Sequence, residues 1–235
     1  MAMVCYLAMT TGEVSVCPSL PKKMAWMACH FSSSGPGISN LPPSLPSDTI
    51  LILDDNTPFN NHDPAAISRE LVQAAKQLGV RSVLLDFQRP DVPQVQELAG
   101  ILATTLPCPV GISSIYAKDI DCPVFLPPLP LNQSLQEYLS PYRSREIWLD
   151  MAPCCAELHI RSQGNQYLSM SADAFPPGPF CDNILRCRYA TSVVEDSVVF
   201  SLYRGQEEIK MLLEDAEKAG VSIALGLYQE LSVLF

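Results

Sequence analysis

The 235-residue sequence lacks a run of basic residues, and its formal net charge is −10. Because an acidic surface repels a phosphate backbone, nucleic-acid binding is disfavoured, and no basic segment suggests contact with an anionic membrane. No apolar stretch is long enough to span a bilayer. The apolar residues 1–10 have no basic residue before them, so they do not resemble a signal peptide. We therefore expect a protein of the reducing cytoplasm, without membrane or nucleic-acid partners.

Motifs for metals, cofactors and nucleophiles are also missing. The nine cysteines are scattered without a C-x-x-C pair, which argues against a zinc ribbon or a thioredoxin-type site. The adjacent pair Cys154-Cys155 could bind a soft metal or form a strained disulfide, but we interpret both as ordinary thiols. A G-x-S-x-G hydrolase elbow is absent.

The segment Ser34-Gly35-Pro36-Gly37 is the nearest approach to a phosphate-binding loop. It follows a predicted strand, but Pro36 has no N–H, and the segment lacks both the G-x-G-x-x-G pattern and the P-loop lysine. A nucleotide cofactor is therefore disfavoured, and we predict no cofactor.

Apolar strands that alternate with helices dominate the rest of the chain. Asp63 followed by Pro64 predicts a helix start, and Gly79 predicts its end. The strands 50–53 and 83–85 are continuous apolar runs, as expected when both faces of a parallel sheet are covered. About eight strands can be counted, which favours a barrel over an open doubly wound sheet.

We predict an α/β fold, namely an irregular (β/α)8 TIM-type barrel with some helices missing and a β-hairpin insertion. The chain is expected to form a single domain, residues 1–235. An N-terminal hairpin (residues 1–20), turning at Thr11-Gly12, would pack on a barrel of residues 21–235. A second hairpin, turning at Gln163-Gly164-Asn165, would be inserted at residues 155–175.

Polar residues follow the predicted strands at the ends where barrels and doubly wound sheets bind ligands. Clustered carboxylates raise one another's pKa, as a general acid requires. We predict catalytic roles for Asp86, Asp150 and Glu230. The predicted substrate-binding residues are Gln88, Arg89, Asp54, Asp55, Trp26, His30, Tyr116 and Tyr228. Polar residues also end strands or cap helices for purely structural reasons, which is the alternative for each of them.

A metal site built from Asp54, Asp55, Asp150 and His30 is a further alternative. No sequence spacing specifies it, because the residues come from three separate strands. We therefore predict no metal site.

Three stretches together resemble the barrel of the family-18 glycoside hydrolases, the chitinase-like group. In the first, the helix 66–79 leads into a strand and then Asp86-Phe87-Gln88-Arg89-Pro90, which is similar to the end of the family motif D-x-x-D-x-D-x-E. In the second, Ile147–Met151 is similar to the family's M-x-Y-D strand. In the third, 219–230 resembles its final strand, which carries an aromatic residue under the sugar.

The departures from that motif concern its catalytic step. The resemblance implies that Asp86 orients the substrate's N-acetyl group, whereas Gln88 occupies the position of the glutamate that protonates the glycosidic oxygen. An amide cannot deliver that proton. Arg81 and Leu84 replace the two earlier aspartates. The strand that carries the motif is the fourth in the family, but here it counts as the third unless the N-terminal segment supplies one.

Three functions therefore remain open. The first is a carbohydrate-binding, catalytically degenerate barrel in which Gln88 hydrogen-bonds a sugar and Trp26 and Tyr228 stack on it. The second is an active glycosidase that uses Asp86 with Asp150, Asp55 or Glu230. The third is a non-enzymatic scaffold that docks partners through the proline-rich loops 41–46 and 127–130, which could equally be rigid connectors.

Overall fold

The computed structural model describes residues 2–60 and 62–234. Its strands are β1 (Val4–Met9), β2 (Met24–Phe31), β3 (Ile38–Ser39), β4 (Ile50–Asp54), β5 (Ser82–Asp86), β6 (Val110–Ser113), β7 (Val124–Leu126), β8 (Ile147–Asp150), β9 (Cys154–Arg161), β10 (Gly164–Met170), β11 (Phe180–Asp182), β12 (Cys187–Val194), β13 (Ser197–Arg204) and β14 (Ile223–Leu227). Its α-helices are α1 (Thr11–Val16), α2 (Pro64–Leu78), α3 (Pro93–Thr105), α4 (Leu135–Leu139), α5 (Gln206–Lys218) and α6 (Tyr228–Leu231).

Eight parallel strands close into a barrel. They pair in the order β1-β14-β8-β7-β6-β5-β4-β2, and β2 pairs with β1 to complete the ring. The short strand β3 adds to β2 in the antiparallel direction. The predicted TIM-type barrel is confirmed, including its irregularity, because the described chain between β6 and β7 forms no helix.

The predicted N-terminal hairpin is wrong. Strand β1 pairs in parallel with β2 and with β14, so it is the first strand of the barrel. The residues after it form helix α1, because Thr10 and Glu13 cap each other's backbone N–H groups. The barrel therefore begins at Val4 rather than at residue 21. Consequently β5, which ends in Asp86, is its fourth strand.

Helix α2 begins and ends where the sequence predicts. The Asp63 side chain accepts a hydrogen bond from the N–H of Ala65, and Pro64 occupies the first helical turn. Gly79 adopts a left-handed conformation with φ of 61°, which glycine tolerates without steric cost. The apolar side of α2 then packs on the barrel through buried residues such as Ile67 and Leu71.

A five-stranded antiparallel sheet is inserted between β8 and α5, in the order β10-β9-β13-β12-β11. The predicted hairpin insertion is confirmed as β9 and β10, and the insertion is larger than predicted. Strands β12 and β13 also belong to this sheet and not to the barrel.

A buried arginine connects the inserted sheet to the barrel through hydrogen bonds. Arg204 is 1% exposed, and its guanidinium donates hydrogen bonds to the carbonyls of Leu185 (2.7 Å), Arg186 (3.0 Å) and Leu129. Leu129 lies in the loop after β7, within the proline-rich stretch 127–130. The carbonyl of Pro127 in the same stretch accepts a hydrogen bond from the Tyr138 hydroxyl. This stretch therefore has internal structural contacts.

Alternate strand residues face the barrel interior, as the two-residue period of a strand requires. The interior is filled by one apolar cluster: Tyr6, Ala8, Ala25, Ile50, Ile52, Leu84, Phe125, Trp148, Ile223 and Leu225. Gly111 leaves room for the Trp148 ring, because a Cβ there would lie 2.4 Å from a ring carbon. The other set of strand residues packs beneath the helices.

None of the helices formed by the described residues is both long and apolar enough to cross a bilayer.

Candidate functional site

Inward-facing acids form the top layer of the barrel interior. Asp54 continues the inward series of Ile50 and Ile52, and it lies in register with Asp86 on the next strand. Asp150 continues the inward series after Trp148. These acids therefore meet at the carboxyl end of the barrel, where the sequence predicted a site.

Asp86 is held by neutral donors. The side-chain amide of Gln88 donates to its Oδ1, and the Ser113 hydroxyl lies 3.3 Å from the same atom. Burial raises the pKa of Asp86. The two hydrogen bonds oppose that increase, whereas the nearby charges of Asp54 and Asp55 add to it. Gln88 thus supports Asp86 directly while its own side chain remains exposed.

Asp150 is the acid with the most perturbed titration at this end. Burial raises its pKa to about 7, and the negative charges of Asp86 and Glu230 contribute to the increase. Both of these acids therefore influence the pKa of Asp150 through their negative charge. Asp150 can carry a proton near neutral pH, as a general acid must.

Glu230 joins the group from helix α6, directly after the last barrel strand. Its Oε2 atom is buried without a hydrogen-bond partner among the described residues, and burial raises its pKa. The Gln206 side chain donates to the main-chain carbonyl of Glu230 at 2.9 Å, which fixes α6 against the start of α5. An unpartnered buried carboxylate oxygen is costly, so its retention points to a function.

A groove of about 510 Å³ extends from Glu230 towards the inserted sheet. Its walls include Pro153 after β8, Pro177 and Tyr203 of the insertion, and the first residues of α5. A larger concavity of about 700 Å³ lies elsewhere, but the groove described here contains one of the three predicted catalytic acids. None of Asp54, Asp86, Asp150 and Glu230 forms an ion pair within residues 2–60 and 62–234.

His30 lies at the edge of this acid layer. It is in register with Asp54 on the neighbouring strand, and burial raises the pKa of Asp54. The ring Nδ1 is 3.2 Å from the carbonyl of Ala28. The structure therefore brings together Asp54, Asp86, Asp150, Glu230, Gln88 and His30.

Asp55 and Arg89 form hydrogen bonds that join the loops after β4 and β5, and neither residue lines the groove. Asp55 is 3% exposed, and its two carboxylate oxygens accept the backbone N–H groups of Gln88 and Arg89, each at 2.8 Å. The Arg89 guanidinium donates to the carbonyls of Asp55 and Asn56. Both carboxylate oxygens of Asp55 are therefore occupied, which argues against a substrate-binding role for it, whereas the role predicted for the exposed Arg89 stays a prediction.

The three predicted aromatic residues are also placed away from the acids. Trp26 is buried in the layer between barrel and helices, with its indole N–H 3.4 Å from the carbonyl of Asn40. Tyr116 is buried, and its hydroxyl donates to the carbonyl of Arg89. Tyr228 contacts the thiol of Cys17 at 3.4 Å, beside a pocket on the outside of β1. None of them offers a stacking face in the groove.

Sequence reasoning missed three residues of the site. Ser113 could have been found, because it ends β6 with the same inward orientation as Asp86. Arg188 and Tyr203 line the groove from the inserted sheet. No local pattern identifies them, since their position depends on how the insertion folds back. Among the residues that the structure describes, no group of three or more His, Cys, Asp or Glu side chains is arranged to hold a metal ion.

These features define a class: a TIM-type barrel with an antiparallel sheet inserted after its seventh strand and unpaired acids at its carboxyl end. No protein-family model matches the chain, and no curated protein sequence is significantly similar to it. Two similar solved structures come from Bacillus.

The spore cortex-lytic enzyme SleL of Bacillus cereus superposes with a TM-score of 0.58 and 9% sequence identity, covering 98% of this chain and 72% of the enzyme. The Bacillus subtilis protein ydhD, which bears the name sporulation-specific glycosylase, gives a TM-score of 0.49 at 9% identity, with 75% of this chain and 80% of that chain covered. At such low identity the first comparison shows a shared fold, and the second is too distant to support an argument.

Proposed function

We propose that this protein binds a carbohydrate at the carboxyl end of its barrel, where Asp86 and Asp150 end their strands and a groove lined by Glu230 opens towards the inserted sheet. The observation that carries the proposal is the set of converging acids without a cation partner, next to an open groove. Carboxylates in such positions can accept hydrogen bonds from sugar hydroxyl groups. The barrel fold is shared with a spore cortex-lytic enzyme, so the same scaffold serves a lytic enzyme elsewhere.

The resemblance to the family-18 glycoside hydrolases belongs to this proposal. Asp86 ends the fourth barrel strand, and Gln88 two residues later contacts it through its side-chain amide. In the proposed site Gln88 supports Asp86 and can hydrogen-bond a sugar, but it cannot act as the proton donor. Binding without hydrolysis by the family's route follows from that substitution.

Isothermal titration calorimetry with chitooligosaccharides tests the proposal. We expect the unmodified protein to bind chitotetraose, and Asp86→Ala to weaken binding by a factor of ten or more, because a charged hydrogen bond contributes about 1.5–3 kcal/mol. Asp48→Asn, at the opposite end of the barrel, serves as the control and should leave the affinity unchanged. Failure of the protein to bind any glycan on a broad array would overturn the proposal.

One observation favours hydrolysis by other acids as a second candidate function. The pKa of Asp150 is raised to about 7, so this residue could donate a proton at neutral pH, with Asp86 or Glu230 as the ionised partner. The assay is release of reducing ends from chitooligosaccharides between pH 4 and 9. We expect activity to decline above pH 7 as Asp150 ionises, and Asp150→Asn to abolish it.

Two further variants separate the possible routes. An Asp86→Asn variant that retains activity would remove Asp86 from the reaction. Gln88→Glu restores a carboxyl group at the position where the family resemblance requires one. A gain of hydrolysis in Gln88→Glu alone would favour the degenerate-barrel proposal over an active native enzyme.

The cytoplasmic location inferred from the sequence stays a prediction, as do the single domain and the absence of a nucleic-acid partner.

A further inference from the structure

The groove beside Glu230 contains an arginine, Arg188, that is held by one ion pair. The Arg188 Nε donates to Glu208 Oε1 at 3.2 Å, and this is the one protein contact of its guanidinium among residues 2–60 and 62–234. The terminal nitrogens of Arg188 therefore have no protein acceptor. Its side chain is 46% exposed and lines the groove.

Glu208 holds Arg188 in that position. The Glu208 side chain is 4% exposed, and its second oxygen accepts the backbone N–H of Gly205 at 3.0 Å. Both oxygens are thus occupied, one by the start of helix α5 and one by the arginine. A buried, fully bonded carboxylate fixes the Nε edge of the guanidinium and leaves its outer donors free.

An aromatic ring lies beside this arginine. Tyr203 is the cross-strand partner of Arg188, and both side chains line the groove. The ring packs against Gly205, where an added Cβ would lie 2.4 Å from the Tyr203 hydroxyl oxygen and 2.7 Å from a ring carbon. The glycine therefore permits the position of the ring. Arg188, Tyr203 and Glu230 line the same groove.

Charge in the groove restricts the kind of ligand. Arg188 is already neutralised by Glu208, and Glu207 and Glu230 add negative charge to the same walls. An anionic ligand would meet net repulsion. A neutral ligand would find donors on Arg188, acceptors on Glu230 and an apolar surface on Tyr203.

We propose that Arg188, positioned by Glu208, is a specificity-determining residue that binds hydroxyl or amide oxygens of a neutral glycan beside Glu230, with Tyr203 against the apolar face of the sugar. The inference rests on the proposed carbohydrate function and deepens it by naming the ligand class as neutral glycans. It also assigns the inserted sheet as the source of selectivity, whereas the barrel supplies the acids.

Calorimetry with two probes, chitotetraose and a tetramer of galacturonic acid, tests this inference. We expect chitotetraose to bind at least tenfold more tightly than the acidic tetramer. Arg188→Met should weaken chitotetraose binding about 10- to 100-fold, because it removes a charged donor from the ligand. Arg188→Lys should give an intermediate loss, since it keeps the charge without the planar fork. Arg161→Met, on the same sheet but outside the groove, is the matched control and should bind as the unmodified protein does.

The outcomes separate the two proposals. Absence of binding to every glycan overturns the carbohydrate function and this inference with it. Chitotetraose binding that is equal in Arg188→Met and the unmodified protein overturns only the role of Arg188. Tighter binding of the galacturonic acid tetramer overturns the neutral ligand class. If Arg188→Met does not give a cooperative thermal unfolding transition, Arg188→Lys decides the test.

Discussion

Aspartates at the two ends of the barrel have pKa values that are shifted in opposite directions. At the amino end, Asp48 pairs with Lys23 and lies 3.4 Å from Arg81, and these cations lower its pKa. At the carboxyl end, Asp86 and Asp150 have no cation partner, and burial raises their pKa. A paired acid stabilises the fold, whereas an unpaired buried acid costs stability and is retained for function. The charge partner therefore distinguishes the paired Asp48 from the two acids for which we propose a function.

Asp55 shows that location alone does not decide this. It follows Asp54 at the carboxyl end, but backbone N–H groups of the next strand's loop occupy both of its oxygens. It is structural like Asp48, with amides in place of cations. The comparison is thus between satisfied and unsatisfied carboxylates, and the following substitutions test it in order of decreasing effect.

Asp55→Ala is expected to have the largest effect. It leaves the N–H groups of Gln88 and Arg89 without acceptors. Since each unsatisfied group costs about 1–3 kcal/mol, the free energy of unfolding should fall by about 3–5 kcal/mol. Urea denaturation at pH 7 measures the change. Asp54→Ala is the adjacent control, and it should cost less than about 1 kcal/mol because the Asp54 side chain accepts one N–H, from the exposed Asn56. Equal losses for the two variants would contradict the distinction.

Asp150→Asn should increase stability at alkaline pH. The pKa of Asp150 is raised to about 7 in the folded protein, so the unfolded chain releases this proton at lower pH than the folded protein does. Asp150 therefore contributes nothing below about pH 4, and its cost grows as the pH rises to 7. We expect the variant to exceed the unmodified protein by about 2–4 kcal/mol at pH 8 and to match it at pH 3.5. Denaturation across pH 3.5–8 provides the measurement, and a constant difference would refute the assignment.

Asp48→Asn should act in the opposite direction and more weakly. The lowered pKa of Asp48 means that its ion pairs stabilise the fold above the unfolded pKa and are lost as the pH falls through the folded value. Because the pairs are partly exposed, we expect a loss of about 0.5–1 kcal/mol at pH 7 in low salt. The loss should shrink at 1 M salt and below pH 3. A stabilising effect would remove the contrast between the two ends.

Ser113→Ala should have the smallest effect, confined to the titration of Asp86. The hydroxyl of Ser113 favours the ionised form of that carboxyl, so its removal should raise the pKa of Asp86 slightly. Carbon-detected NMR titration of the Asp86 carboxyl measures the shift. Ser114→Ala, one position further along the chain, is the control and should leave the titration unchanged. A fall in the pKa of Asp86 would show that Ser113 does not donate to it.

Some of the site could be predicted because it depends on local pattern. The apolar runs before Asp54, Asp86 and Asp150 identify parallel strands, and parallel strands bring their carboxyl ends together. The aromatic predictions failed for a different reason. Trp26 lies in the outer cluster, whereas its neighbours Ala25 and Met27 lie in or against the inner one, and a continuous apolar run does not indicate which alternate set faces inward. A one-residue change of register reverses the face that a side chain occupies.

The N-terminal segment failed because local and distant signals disagree. The dipeptide Thr11-Gly12 resembles a hairpin turn, yet the sequence around it is also a capping box. What decided the outcome is the pairing of β1 with β14, more than two hundred residues later in the chain. Closure of the barrel requires that strand, and a short window of sequence contains no information about it.

The sequence by itself determined that several strands of an α/β barrel end in acids. The period of a strand and the cap of a helix depend on neighbouring residues, so both can be read locally. Only the tertiary structure decided which of those acids have both oxygens occupied by backbone N–H groups and which have a pKa raised by burial. The bonds that occupy Asp55, the burial that raises the pKa of Asp150, and the placement of Arg188 and Glu230 along one groove all depend on residues that are distant in the chain. Burial and charge pairing are properties of that packing, so they could not be predicted from the acids' positions in the sequence.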